Sequence, residues 1–459
     1  MEASEGLIFW LIFAIINRLN KTKMSLLETL QRGSETALAE RVQKSEDPQK
    51  VSDPKEKSKI SEKEVAPAVN FDEDSIPTIL NDIFVEALKL HASDVHFKPT
   101  EKDFRVYFRV DGTMIEYRVF EQIYHNPLVA RIKILSSLHT DEHRLPQDGK
   151  ASFESADGNE VDLRVSVLPT QFGEKVVIRL LEKNPKMVEL RDLGMLPNIL
   201  MKVERHLAAT YGMILAVGPT GSGKSTSLFS MISTFNPAAH NISTLEDPIE
   251  YKIPGVTQTQ INTEIHFDFS DGLRTLVRQD PDIIMVGEIR DQKTASLAIE
   301  SALTGHLVFS TIHTNSAVGT IQRLLNMGID RFLITAAIKL IISQRLVRKI
   351  CSNCRESYPF PEKYDDLFLG QTDVSPRKLF LYRPKGCDQC KHTGYKGRIG
   401  LFEVLEMSPT IEELIISNAS HTEIEAQAVK EGMILLRKDA LYKAITGDIT
   451  IEEAIRAMA

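Results

Sequence analysis

Residues 218–225 read Gly218-Pro219-Thr220-Gly221-Ser222-Gly223-Lys224-Ser225, with Thr226 following. This is a complete G-x-x-x-x-G-K-[ST] loop in the context it requires. The apolar run 213–217 predicts a strand before it, and 225–234 predicts a helix after it. Glycines let backbone N–H groups turn inward around a β-phosphate, and the helix start adds a favourable dipole. The pattern assigns Lys224 to the β- and γ-phosphates of ATP and the Ser225 hydroxyl to Mg²⁺, with residues 218–226 forming the cradle. The competing reading, a glycine-rich turn with no ligand, does not account for a strand and a helix on its two sides.

Outward from the loop, apolar runs at 242–245, 283–286 and 307–312 alternate with helical stretches. That is the pattern of a parallel sheet covered on both faces, hence an α/β fold. Ligands of such sheets bind at the carboxyl ends of the strands. Two acidic groups stand there. The run Asp282-Ile-Ile-Met-Val-Gly287-Glu288 has Gly287 where an Asp commonly holds magnesium through water. Glu288 is therefore better suited to orienting the attacking water than to direct metal binding. Glu246-Asp247 ends another strand; Glu246 can share the metal's outer shell, the bland alternative being turn chemistry or helix capping. His306 and His313 bracket the strand 307–312, a placement open to both a site role and an ordinary surface role.

The chain has 459 residues, 42% hydrophobic and 26% charged, enough for two or three compact units. Its formal net charge of −8 excludes a protein built mainly to coat nucleic acid. The apolar run 7–16 is ten residues long, about half of the ~20 needed to span a bilayer. Glu2 and Glu5 precede it where a secretory signal carries basic residues. It reads as a misplaced start codon, a membrane-touching anchor or a partner-binding helix. Residues 43–69 are rich in Lys, Glu, Ser, Asp and Pro and read as a linker. A helical pattern at 76–90 precedes strand-like runs at 95–97, 104–110, 114–119, 161–167 and 175–181, with Asp111-Gly112 as a hairpin turn. This is a small α+β domain. The boundaries expected are 1–70, 71–186, 187–350, 351–400 and 401–459, the last segment helical.

Cys351-Ser-Asn-Cys354 and Cys387-Asp-Gln-Cys390 are two C-x-x-C knuckles 32 residues apart. Two such turns can set four thiolates tetrahedrally around Zn²⁺. A redox switch or free thiols are the alternatives.

Longer stretches carry a family resemblance. Thr244-Leu-Glu-Asp-Pro-Ile-Glu-Tyr251 resembles the "Asp box" of the type II secretion and type IV pilus assembly ATPases. Arg278-Gln-Asp-Pro-Asp-Ile-Ile-Met-Val-Gly-Glu-Ile-Arg-Asp291 resembles their Walker B segment, and Gly305-His-Leu-Val-Phe-Ser-Thr-Ile-His-Thr-Asn315 their "His box". Ala92-Ser-Asp-Val-His96 and Asp162-Leu-Arg-Val-Ser166 resemble signatures of the preceding domain. The resemblance implies a PAS-like α+β domain, then a RecA-like P-loop domain, assembled as a homohexamer with ATP between the lobes. It implies catalytic roles for Lys224, Glu246, Glu288 and His313. Arg164 and Arg179 would come from the first lobe, and Arg274 and Arg278 would lie near the nucleotide in the second. Without it, those four arginines read as solvated faces or structural ion pairs. It also implies a cytoplasmic protein, peripheral at the inner membrane, acting on a platform protein and linker proteins without touching nucleic acid. The cysteine pairs favour the assembly and secretion branch over pilus retraction.

Two positions depart from the family pattern. Lys98 stands where Glu is common, and only 24–43 could represent the assembly domain of many relatives. A retraction or conjugative-transfer motor is the nearest alternative function, and a nucleotide-gated scaffold with little turnover is another. A small-molecule kinase is disfavoured by the lack of an evident second-substrate lid.

Overall fold

Alternation fixes the first sheet. Along β1 (Ala92–Pro99), Val95 and Phe97 are fully buried while Lys98 is exposed. β2 (Asp103–Val110) buries Phe104, Val106 and Phe108 in the same period-two manner. With β3 (Thr113–Glu121), β4 (Gln147–Glu154), β5 (Glu160–Thr170) and β6 (Gly173–Glu182), these strands make a six-stranded antiparallel sheet ordered β3-β2-β1-β6-β5-β4. Helix α1 (Ile76–Lys89) presents Ile76, Leu80, Ile83, Phe84 and Ala87 at helical spacing to its apolar face. Helix α2 (His125–Leu135) adds Leu128, Val129 and Ile132 to the same core.

The computed structural model describes residues 75–458, apart from 155–157, 159, 183–186 and 369–378. The expectations for 7–16, 24–43 and 43–69 lie outside the described residues. Within the unit Phe71–Ala459, helix α3 (Pro197–Leu207) leads to the second sheet.

That sheet has seven strands in the order β15-β12-β7-β11-β10-β8-β9. They are β7 (Gly212–Val217), β8 (Ile242–Glu246), β9 (Thr257–Gln260), β10 (Ile283–Val286), β11 (Leu307–Ile312), β12 (Ile338–Ile350) and β15 (Tyr395–Glu406). All neighbours run parallel except β12 and β15. Every residue of β7 is buried, and its two sides feed two cores. Met213, Leu215 and Val217 pack with α5 (Phe269–Leu276), α6 (Gln292–Leu303) and α7 (Ala317–Asn326). Ile214 and Ala216 pack with α3 and with α4 (Lys224–Ile232). The mixed α/β class expected from the apolar runs is the observed one.

The apolar runs stop short of the whole sheet. Helix α8 (Arg331–Ala337) passes into β12 with no turn residue between them, so periodicity had nothing to divide. Beyond β12, a small hairpin of β13 (Arg355–Pro359) and β14 (Phe380–Pro384) lies between the two cysteine pairs, with the short α9 (Asp365–Phe368) inside it. Helices α10 (Pro409–Ile416), α11 (His421–Lys430), α12 (Leu436–Thr446) and α13 (Ile451–Met458) follow β15.

A buried ion pair fastens α12 to β15. Lys443 Nζ lies 2.6 Å from Asp439 Oδ2 and donates to the Gly400 carbonyl at 2.7 Å, while Phe402 N donates to Asp439 Oδ2 at 2.8 Å. Both side chains are almost wholly buried, so removing one strands the other's charge away from water. Asp439→Ala is expected to cost about 3–5 kcal/mol in urea denaturation followed by circular dichroism. Asp439→Leu combined with Lys443→Met should recover most of that loss. A single-variant cost below about 1 kcal/mol would contradict this view of the contact.

Candidate active site

The phosphate loop leaves β7 near the middle of the sheet and closes on Gly223, whose φ of +87° caps α4. Gly218 has no room for a side chain: a Cβ there would lie 2.4 Å from the Gln344 carbonyl oxygen and 2.6 Å from Ser222 Oγ. Lys224 is 8% exposed, and its Nζ donates to the Gly218 and Pro219 carbonyls at 2.9 and 3.1 Å. Burial lowers its pKa, and the Glu288 carboxylate opposes that effect.

A cavity of about 810 Å³ opens over the loop. Thr220, Gly221, Ser222, Gly223, Lys224, Ser225 and Thr226 line its floor. Glu246, Asp247, Glu288 and His313 reach it from the ends of β8, β10 and β11. At Gly287 the backbone passes close to the neighbouring strand. Its N–H donates to the Leu245 carbonyl at 2.8 Å, and a Cβ would sit 3.1 Å from that oxygen.

The two glutamates are held differently. Glu288 pairs with Arg290, and its Oε2 is 3.5 Å from His313 Nε2. Glu246 is 3% exposed; Thr244 Oγ1 and Gln258 Nε2 donate to its Oε1 at 2.6 and 2.9 Å. Burial pushes the Glu246 carboxyl up, and those hydrogen bonds partly offset it. The Ser225 hydroxyl and the two carboxylates are hard oxygen donors around one cavity, a set that fits Mg²⁺.

The first lobe supplies the opposite wall through Asp94, Arg109 and Arg179. Strand register sets Arg109, Asp94, Arg179, Arg164 and Lys150 side by side across β2, β1, β6, β5 and β4. Four cations thus flank one carboxylate on the sheet's polar face. Asp94, 6% exposed, lies 3.1 Å from Arg179 Nε and 3.6 Å from Arg109 Nε. Like charges directly opposite one another destabilise a sheet, so this row suits an anionic ligand better than it suits the fold. Arg164 reaches the Ile249 carbonyl at 3.5 Å and lines, with Lys150 and Arg179, a second cavity of about 400 Å³.

Other expected residues are placed elsewhere. His306 stands at the opposite end of β11, its Nδ1 2.9 Å from the Ser301 carbonyl, because a strand separates its two ends by its whole length. Arg274 pairs with Asp271 at 3.3 Å, and Arg278 Nη1 donates to the Arg274 carbonyl; neither lines the large cavity. Sequence reading did not single out Arg109, Lys150 or Arg398. Arg398 lines the cavity from β15, and its Nε is 4.0 Å from Asp111 Oδ1. For Arg109, the Asp111-Gly112 turn and the alternation of β2 were the available signal.

The four cysteine sulfurs all lie within 4.8 Å of one another. The Cys351–Cys387, Cys354–Cys390 and Cys387–Cys390 sulfurs are 3.9, 3.8 and 3.7 Å apart. A tetrahedron with Zn–S bonds of about 2.3 Å has edges of about 3.8 Å, so the donor set fits Zn²⁺. Asn353 Nδ2 and the Cys390 backbone stabilise the Cys387 thiolate, holding its pKa down to about 6.

The family described as "Type II/IV secretion system protein" matches residues 70–456. The type IV pilus assembly ATPase PilB of Myxococcus xanthus is 44% identical over 387 residues, covering 84% of this chain and 68% of its own. The type II secretion system ATPase E of Vibrio cholerae is 42% identical over 386 residues, 84% of this chain and 76% of its own. The crystal structure of the pilus retraction motor PilT with bound ADP is similar at a TM-score of 0.55 and 27% identity, over 82% of this chain and 96% of that one. With a phosphate loop, two strand-end carboxylates and a four-cysteine cluster on this fold, the chain belongs to the type II/IV secretion system protein family, among the secretion and pilus ATPases.

Proposed function

We propose that the chain hydrolyses MgATP as a homohexamer and drives assembly of pilin-like subunits, in a type IV pilus or a type II secretion pseudopilus, from the cytoplasmic face of the inner membrane. The observation that carries this reading is the convergence of Lys224, Ser225, Glu246 and Glu288 on one cavity, with Arg109 and Arg179 facing them. Lys224 holds the β- and γ-phosphates. Glu288 orients the attacking water, with His313 and Arg290 fixing its two oxygens. Glu246 steadies the water shell around the metal. Magnesium, when bound, neutralises charge on the phosphate oxygens.

Closure of the first lobe brings its arginine row toward the γ-phosphate. Cations delivered this way are worth on the order of 10³–10⁵ in rate in other phosphoryl-transfer enzymes. It also makes lobe movement the mechanical output, transmitted to an inner-membrane platform protein and its linker proteins. Among the described residues, no helix is long and apolar enough to cross a membrane, in keeping with peripheral attachment through partners. Higher identity to an assembly ATPase than to the retraction motor favours assembly, as do the cysteine pairs.

Phosphate release by purified full-length chain tests the reaction. Lys224→Ala and Glu288→Gln are each expected to lower turnover at least ~100-fold; turnover unchanged in either variant would refute the assigned role. For the metal, plasma mass spectrometry should find one zinc per chain, and Cys390→Ser should retain less than about a tenth of it. Equal zinc in the variant would contradict four-thiolate ligation.

A further inference from the structure

Glu246 is a buried carboxylate with no cation beside it among the described residues, and Glu250, of like sign, pushes its pKa further up. A group in that position keeps its place only through neutral donors. Thr244, two residues earlier on β8, is one of them. Another is Gln258 on the edge strand β9, whose register sets it directly beside Thr244, and the Glu250 backbone is a third.

The Gln258 amide is engaged on both of its ends. Nε2 donates to Glu246 Oε1 at 2.9 Å and to the Tyr251 carbonyl at 2.8 Å, and Oε1 accepts from Ile253 N at 2.8 Å. Two acceptors on the nitrogen side and a donor on the oxygen side fix which way the amide points. A carboxylate would meet two acceptors there, and a thioether would remove all three hydrogen bonds. Tyr251 lines the large cavity, and its ring meets Phe229 edge-on at 5.4 Å. One side chain therefore joins the strand-end carboxylate to the segment whose Asp247, Pro248, Glu250 and Tyr251 line the cavity.

We propose that Gln258 is a positioning residue for ATP hydrolysis, setting the Glu246 carboxylate and the Tyr251 segment in one fixed relation. The proposal rests on the ATPase reading above. Gln258 reaches the nucleotide cavity only through Glu246 and the Tyr251 carbonyl, so its effect is expected mainly on the chemical step. It escapes sequence reading because Thr257-Gln-Thr-Gln260 has no apolar alternation and no motif.

Steady-state MgATP turnover of the full-length chain across pH tests it. Gln258→Met should lower kcat about 100-fold, the scale expected for a misplaced catalytic group. KM should stay within about threefold. In a Glu246→Gln background, the same substitution should change little further, because both act through one carboxylate. Gln258→Glu keeps the shape but sets a second carboxyl against Glu246, and two carboxylates that close cannot both ionise easily. A shared proton holds the pair together at low pH and is lost as pH rises. This variant's kcat should therefore fall with rising pH, while the parent, with an untitratable amide, shows no such added loss.

A Gln258→Met kcat within about threefold of the parent would overturn the proposal. So would a full additional loss in the Glu246→Gln background, or a Gln258→Glu defect equal at every pH, the mark of a merely structural role. A parent chain with no turnover would instead overturn the ATPase reading beneath it, and is seen before any variant is made.

Discussion

The side-chain amide of Gln344, fully buried on β12, donates to the Ser222 carbonyl at 2.7 Å and clamps the phosphate loop from the strand beside the one it leaves. The Gln344 main chain packs so close to Gly218 that no side chain fits between them. The loop is thus confined between β7 and β12 by contacts that need no ligand. A binding site ordered in advance loses less freedom when it binds. The functional groups at the strand ends derive their positions from the same parallel sheet.

Electrostatics then distribute the work between the lobes. The second lobe contributes Lys224 and two carboxylates, and the first contributes a row of cations around Asp94. Neither set is well compensated alone: among the described residues Glu246 has no cationic partner, and four cations stand in a row with Asp94 and near Asp148. A magnesium triphosphate between them would supply the missing charges of both signs. Besides Arg164 at the Ile249 carbonyl, the lobes touch where β2–β3 and α1 meet the cysteine-bearing segment. Asp111, at the β2–β3 tip, accepts from Gly397 N at 3.0 Å, and Lys391, next to Cys390, donates to the Lys89 carbonyl at 2.6 Å. The cysteine cluster thereby lies beside one of these contacts.

Local sequence was legible where function depends on consecutive residues. The phosphate loop, the two strand-end glutamates and the cysteine pairs are each short runs, and they meet in space as their spacing implied. Function that depends on register was not legible. Arg109 and Lys150 share a row with Arg179 only because four pairings align, and no single strand carries that information. His306 shows the converse: adjacency to a functional strand says nothing about which end of it matters. The strand β12, and with it the Gln344 clamp, was hidden by a helix that runs into it without a break.

The most direct measurement is calorimetric titration of the zinc-loaded chain with a slowly hydrolysed ATP analogue, with and without magnesium. Saturable, magnesium-dependent binding is expected in the parent, and its loss in Gly218→Ala, where the added methyl forces the loop off β12. Heat indistinguishable from dilution in the parent, or equal affinity in that variant, would contradict a clamped phosphate loop as the seat of the chemistry.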